Sequence, residues 1–156
     1  MKLSAKTRFA VKILLDLTIH DQDQPVSATL LSKHTGISVQ FIEQILKNLK
    51  WAGVTKSVRG PKGGHCLAKK PDEITLAEVV VLMEGGLHLA PCTGETRSVC
   101  ASRDFCSICA AWARVSTVLS DELTDISIQS LLDDYQQTVA KAGNVEIFPA
   151  CCAKWL

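Results

Sequence analysis

Between residues 3 and 20 the apolar side chains Leu3, Ala10, Ile13, Leu14 and Leu17 recur at a spacing that places them on one face of a helix. The stretch DQDQP at 21–25 breaks that pattern. Ser27 then predicts the N-cap of a short helix, SATLLSKHT, which stops at Gly36. Ser38 predicts the cap of a second helix through VQFIEQILKNLKWAG, with Phe41, Ile42, Ile45, Leu46 and Leu49 on its apolar side. Two helices joined by a tight glycine turn form a helix-turn-helix pattern. VTKSV (54–58) and HCLAK (65–69) read as two short strands around the turn RGPKGG (59–64). A hairpin directly after a helix-turn-helix is a wing, and its glycines Gly60, Gly63 and Gly64 are expected to let the backbone approach a partner closely.

Beyond the wing, Thr75 and Glu78 in TLAE form a capping-box pattern that opens a helix through about Glu84. Residues 85–103 are loop-like. A long helix is expected from near Asp104 to about Leu123, with Trp112, Val115, Leu119 and Leu123 at helical spacing, and Ser127 caps a further short helix, IQSLLDDYQQT. The predicted fold is mainly α with a small β-hairpin wing. Its expected divisions are a winged helix-turn-helix unit at 1–84, a cysteine-containing loop at 85–103, a long helix with a following short one at 104–140, and a loosely ordered tail at 141–156.

Charge changes this picture. The net charge of +1 conceals an asymmetry: residues 1–70 carry twelve Lys/Arg against four Asp/Glu, whereas 71–156 carry five against twelve. The first half is therefore expected to meet a polyanion. In a helix-turn-helix the second helix enters the major groove of double-stranded DNA, which makes Ser38, Val39, Gln40, Glu43, Gln44 and Lys47 candidate contacts. Gln pairs with adenine and Glu accepts from cytosine, while Ser38 and Lys47 suit phosphates. Arg59 and Lys62 stand at the wing tip, and Lys2, Lys6 and Arg8 add phosphate contacts. The plainer reading, a solvated helix face, loses weight beside the wing and the charge. No apolar run reaches signal-peptide or membrane-span length, so a cytoplasmic protein without a membrane partner is expected.

Four of the seven cysteines, Cys92, Cys100, Cys106 and Cys109, fall in PCTGETRSVCASRDFCSIC. A reducing compartment disfavours disulfides. Cys106 and Cys109 lie three residues apart at a helix start, and Cys92 and Cys100 can fold over from the loop. Four thiolates there suit zinc, which the spacing alone favours, or an iron–sulfur cluster. A thiol oxidoreductase would need a thioredoxin-like βαβ pattern, which is missing, and no enzyme activity is expected. Cys66 on a wing strand should face the core, and Cys151 and Cys152 fall in the tail. His20, His34, His65 and His88 share no spacing that suggests catalysis.

The run GISVQFIEQILKNLKWAGVTKSVRGPKGGHCLAKKPDEITLAEV, with MKLSAKTRFAV at the start, resembles the winged-helix transcription regulators of the IscR and NsrR type. These are dimeric bacterial repressors and activators, many of which carry an iron–sulfur cluster. The resemblance is continuous to about residue 85, resumes at the cysteines and ends near residue 135. It implies DNA contacts at Ser38, Gln40, Phe41, Glu43, Gln44 and Arg59, with Glu43 and Gln44 nearest the bases, and a roughly palindromic operator. It makes the helix carrying Trp112, Val115, Leu119 and Leu123 a dimerisation helix; intramolecular core is the other reading of those four. It shifts the metal from zinc to an iron–sulfur cluster, two-iron rather than four-iron, on Cys92, Cys100 and Cys106, with Cys109 where relatives carry a histidine. The gap between the first two cysteines is longer than in IscR. His65 stands where relatives have Tyr. Arg8 occupies the position from which NsrR-like proteins supply an acidic ligand.

Overall fold

The computed structural model describes residues 3–20, 24–90, 93 and 106–142. Cys92, Cys100, Cys151, Cys152, Lys2 and Asp104 lie outside the described residues. Six helices and one hairpin follow in the order α1 (Ala5–His20), α2 (Ala28–Thr35), α3 (Val39–Trp51), β1 (Thr55–Val58), β2 (Gly64–Leu67), α4 (Leu76–Glu84), α5 (Ser107–Asp125) and α6 (Ile128–Ala142).

Helix α1 starts later than its apolar pattern, because Ser4 caps it: Ser4 Oγ accepts from the Thr7 N–H at 3.3 Å. Its face of Phe9, Ala10, Ile13, Leu14 and Leu17 is buried, and with Leu31, Ile42, Ile45, Leu46, Leu49, Val54 and Ile74 it forms the single core cluster among the described residues. Helix α2 has the expected ends. Ser27 Oγ accepts from the Leu30 N–H at 3.2 Å, and Gly36 takes a left-handed φ of 71° that an L side chain would disfavour. Ser38 holds the N-cap position of α3, but its hydroxyl makes no capping bond and stays exposed.

The hairpin pairs antiparallel, Thr55 with Leu67, Lys56 with Cys66, Ser57 with His65 and Val58 with Gly64. Val26, just before α2, adds a rung on the far side of β2: its N–H donates to His65 O at 2.9 Å and His65 N–H returns to Val26 O at 2.8 Å. This rung requires glycine at 64, where a Cβ would stand 2.6 Å from Val26 O; at Gly63 a Cβ would meet Val58 O at 2.4 Å. Both glycines therefore serve the chain's own close packing, a use that the strand-and-turn pattern did not foretell. Cys66 faces inward and is buried.

Half of the expected capping box forms at α4. Thr75 Oγ1 accepts from the Glu78 N–H at 3.2 Å, but the Glu78 carboxylate accepts from Lys69 Nζ at 2.6 Å. Helix α5 leaves the core after Cys109, its one buried residue. The chain returns where Leu76 N–H donates to Ile126 O and Ile128 N–H donates to Ile74 O, at 2.8 and 2.9 Å. Ser127 and Ser130 cap α6 reciprocally. Ile128 is then fully buried and α6 packs on α1. At 15 residues α6 is longer than the short helix expected, and it includes Lys141.

Candidate nucleic-acid interface and cysteine site

Helix α3 divides cleanly into two faces. Ile42, Ile45, Leu46 and Leu49 are buried, while Ser38, Val39, Gln40, Glu43, Gln44, Lys47 and Lys50 are exposed. The inward face anchors the helix, and the outward face presents amide, carboxylate and ammonium groups along one stripe. Phe41 differs from its neighbours: half-buried, it meets Phe9 edge to face with ring centroids 5.8 Å apart. That contact fixes the angle between α1 and the start of α3. At the other end Trp51 is 81% exposed, and Lys47 Nζ lies 5.4 Å from its ring centroid.

The wing continues this cationic surface. Lys56, Arg59 and Lys62 are all exposed on or beside the hairpin, and Lys6 and Arg8 are half-buried and exposed on α1. His65 sits where the wing meets α3. Burial, then the Lys50 ammonium, pushes its imidazole below the usual value, and Glu43 opposes the shift. Ser57 Oγ and His65 Nδ1 stand 3.4 Å apart.

The cysteine site is built on the start of α5. Cys106 is the N-cap residue and half-buried, and Cys109 is buried one turn into the helix. None of Cys66, Cys106 and Cys109 is in a disulfide. The N-cap and the first turn thus each bring one soft sulfur donor to the positive end of the helix dipole. That donor pair fits an iron–sulfur cluster or zinc.

The apolar residues of α5 face elsewhere. Trp112 is 46% and Val115 49% exposed, joined by Ile108 and Val118, while Leu119 and Leu123 are half-buried. Trp112 and Val115 are thus not core of this chain. Periodicity could not choose between core and interface, because both need the same spacing.

The structure also joins histidines that share no motif: His20 and His34 meet at Asp16. The one local signal was the i, i+4 spacing of Asp16 and His20. Among the described residues no helix is long and apolar enough to cross a membrane.

Comparison with known proteins agrees with this architecture. The family described as "Rrf2: Iron-dependent Transcriptional regulator" matches residues 3–134. The HTH-type transcriptional regulator IscR of Photorhabdus laumondii is 35% identical over 143 residues, spanning 92% of this chain and 85% of that protein. The solved structure of T. potens IscR superposes with a TM-score of 0.73 at 27% identity, covering 93% of this chain and 94% of that one. CymR, described as the global cysteine regulator of B. subtilis, superposes with a TM-score of 0.68 at 25% identity over 85% of this chain and 97% of its own. The family match and the IscR relatives, together with the winged helix-turn-helix and its cationic face, establish that the chain belongs to the Rrf2 family of DNA-binding transcriptional regulators.

Proposed function

We propose that this regulator binds a roughly palindromic operator as a cytoplasmic homodimer, and that an iron–sulfur cluster held by Cys92, Cys100, Cys106 and Cys109 sets its affinity for that operator. In this reading residues 1–84 bind DNA, 85–103 form the ligand loop and 104–140 form the dimer contact. Glu43 and Gln44 read base edges, helped by Gln40. Ser38, Lys47 and Lys62 hold phosphates, Arg59 enters the adjacent minor groove, and Phe41 seats the root of the recognition helix.

The observation that carries the proposal is that two of the cysteines and an exposed apolar stripe share one helix. Cys109 points inward at the start of α5, while Ile108, Trp112 and Val115 point outward within the next two turns. Any rearrangement of Cys106 and Cys109 therefore moves the base of the apolar stripe, and with it the spacing of two recognition helices. When bound, a cluster would supply a redox-active, thiolate-ligated centre, and its loss would free these ligands. The family's description as iron-dependent supports iron over zinc, and a two-iron cluster is the form proposed.

Anaerobically purified protein, assayed for its visible spectrum, iron, acid-labile sulfide and zinc, tests the cofactor. Brown protein with iron and sulfide that Cys92→Ala loses agrees with the proposal. Colourless protein with one zinc per chain contradicts it and makes the thiols a structural clasp.

A further inference from the structure

The C-terminal ends of α1 and α2 meet over a buried carboxylate. Asp16 is 1% exposed, and the partners of its two oxygens are both imidazoles. Oδ2 lies 3.0 Å from His34 Nδ1, and Oδ1 lies 3.6 Å from His20 Nε2. The two rings sit side by side, with centroids 4.6 Å apart and planes tilted by 38°. One donor atom from each of the three residues falls within a 4.8 Å spread.

A buried carboxylate needs compensation, and His34 supplies one hydrogen bond. His20 does not supply a second, because 3.6 Å is too long for one. Its nitrogen nevertheless converges on the same carboxylate as that of His34. Around a tetrahedral cation, nitrogen and oxygen donors about 2.0–2.2 Å from the metal stand roughly 3.3–3.5 Å from one another. With one oxygen taken from Asp16, the three donor atoms lie within 4.8 Å of one another, close enough for small side-chain rotations to bring them to that spacing. Two imidazoles and a carboxylate are also a donor set that zinc and its first-row neighbours accept.

We propose that Asp16, His20 and His34 form a second, cysteine-free site for a first-row divalent cation of the zinc type. Its fourth position opens to solvent beside His20, whose side chain is 42% exposed. The cation ties the end of α1 to the end of α2, where Lys12 Nζ already donates to Thr35 O at 2.7 Å and Gly36 turns the chain toward α3. Its occupancy thus stiffens the helix-turn-helix independently of the cysteine site.

Titrating the full-length protein with Co2+ in place of zinc separates the two kinds of site, because cobalt on thiolates absorbs strongly in the near ultraviolet and cobalt on nitrogen and oxygen does not. The expected result is one Co2+ per chain that adds weak visible bands without adding to the thiolate band, whatever cobalt the cysteines take up. His34→Gln and His20→Gln should each weaken its binding by roughly a hundredfold or more, since losing a direct ligand costs at least as much as losing an outer-shell partner. His20 is exposed, so His20→Gln should keep the unfolding midpoint of the metal-free protein even if His34→Gln does not fold. Cobalt bound only with a thiolate band, no cobalt bound, or wild-type affinity in His20→Gln would each overturn the proposal.

Discussion

Glu84, the last residue of α4, accepts a hydrogen bond from the backbone N–H of Ser4 at 2.9 Å, eighty positions earlier in the chain. Thr7 Oγ1 donates to the same oxygen. Helix α1 has no acidic residue in its own first turn, so a residue of another helix supplies the negative charge that a helix N-terminus favours. Glu84 directly precedes Gly85 and the cysteine-bearing segment. The base of that segment is therefore fastened to the end of the helix that carries Lys6 and Arg8.

The Thr7 hydroxyl, then Ser4, holds the Glu84 carboxyl below its usual 4.5. A carboxyl with a depressed folded-state pKa contributes stability that is present above 4.5 and lost as pH falls through the folded value. Glu84→Gln should lower stability at pH 7 by about 1 kcal/mol or less, as for an exposed cap. Urea unfolding against pH should show the difference closing in acid. An equal deficit at pH 7 and pH 3 would mean that packing, not charge, is what Glu84 provides.

The outward stripe of α5 predicts the assembly state. Trp112→Glu should yield a folded monomer in sedimentation velocity, because it places a charge in a surface that two copies would bury. Its helical content should match wild type, since Trp112 is 46% exposed in the single chain. A variant that still sediments as a dimer would place the interface elsewhere.

On DNA, Gln44→Ala and Arg59→Ala should fail differently. Loss of a base contact costs about 1–3 kcal/mol at one position and relaxes preference there, whereas loss of a phosphate contact weakens all sequences alike. Gln44→Ala should change base preference with little change in salt slope. Lys62→Ala should lower the slope by about one with preference intact. Binding to randomised duplexes at several salt concentrations measures both, and Arg59→Ala should lose affinity most on sites with an A·T-rich flank.

Thr55 offers a test of packing alone. Its Oγ1 is buried and finds no hydrogen-bond partner among the described residues. Thr55→Val keeps the shape and removes the unsatisfied hydroxyl, so chemical denaturation should show a gain of about 1 kcal/mol.

Local chemistry made much of this fold legible. Ser27 and Gly36 bound α2 because caps act within one turn, and the period of Ile42, Ile45, Leu46 and Leu49 is set by the helix itself. Where side chains have a choice of partner, the sequence said less. Glu78 matched a capping box but bonds Lys69, and Ser38 holds a cap position without capping. Ser4 and Thr7 did carry a cap signal, three residues apart, but the apolar Leu3 obscured it. Helix α6 runs past Thr138, whose hydroxyl bonds back to Asp134 O at 2.9 Å without ending it, because Ala140 and Lys141 are good helix formers. The meeting of His20 with His34 depends on how α1 packs on α2, which no local pattern encodes. Of the four cysteines, the described pair at 106 and 109 fell at the helix start that the spacing implied.

We propose that the cysteine site governs DNA affinity. The most direct measurement is the dissociation constant of the dimer for one operator, selected from random duplexes, with the cluster in place and after its removal under anaerobic conditions. Removing the cluster should change it by roughly tenfold or more, within the usual range of coupling between two sites, and should not change it in Cys106→Ala. Equal affinity of the two forms, with the dimer intact in both, would contradict the proposal.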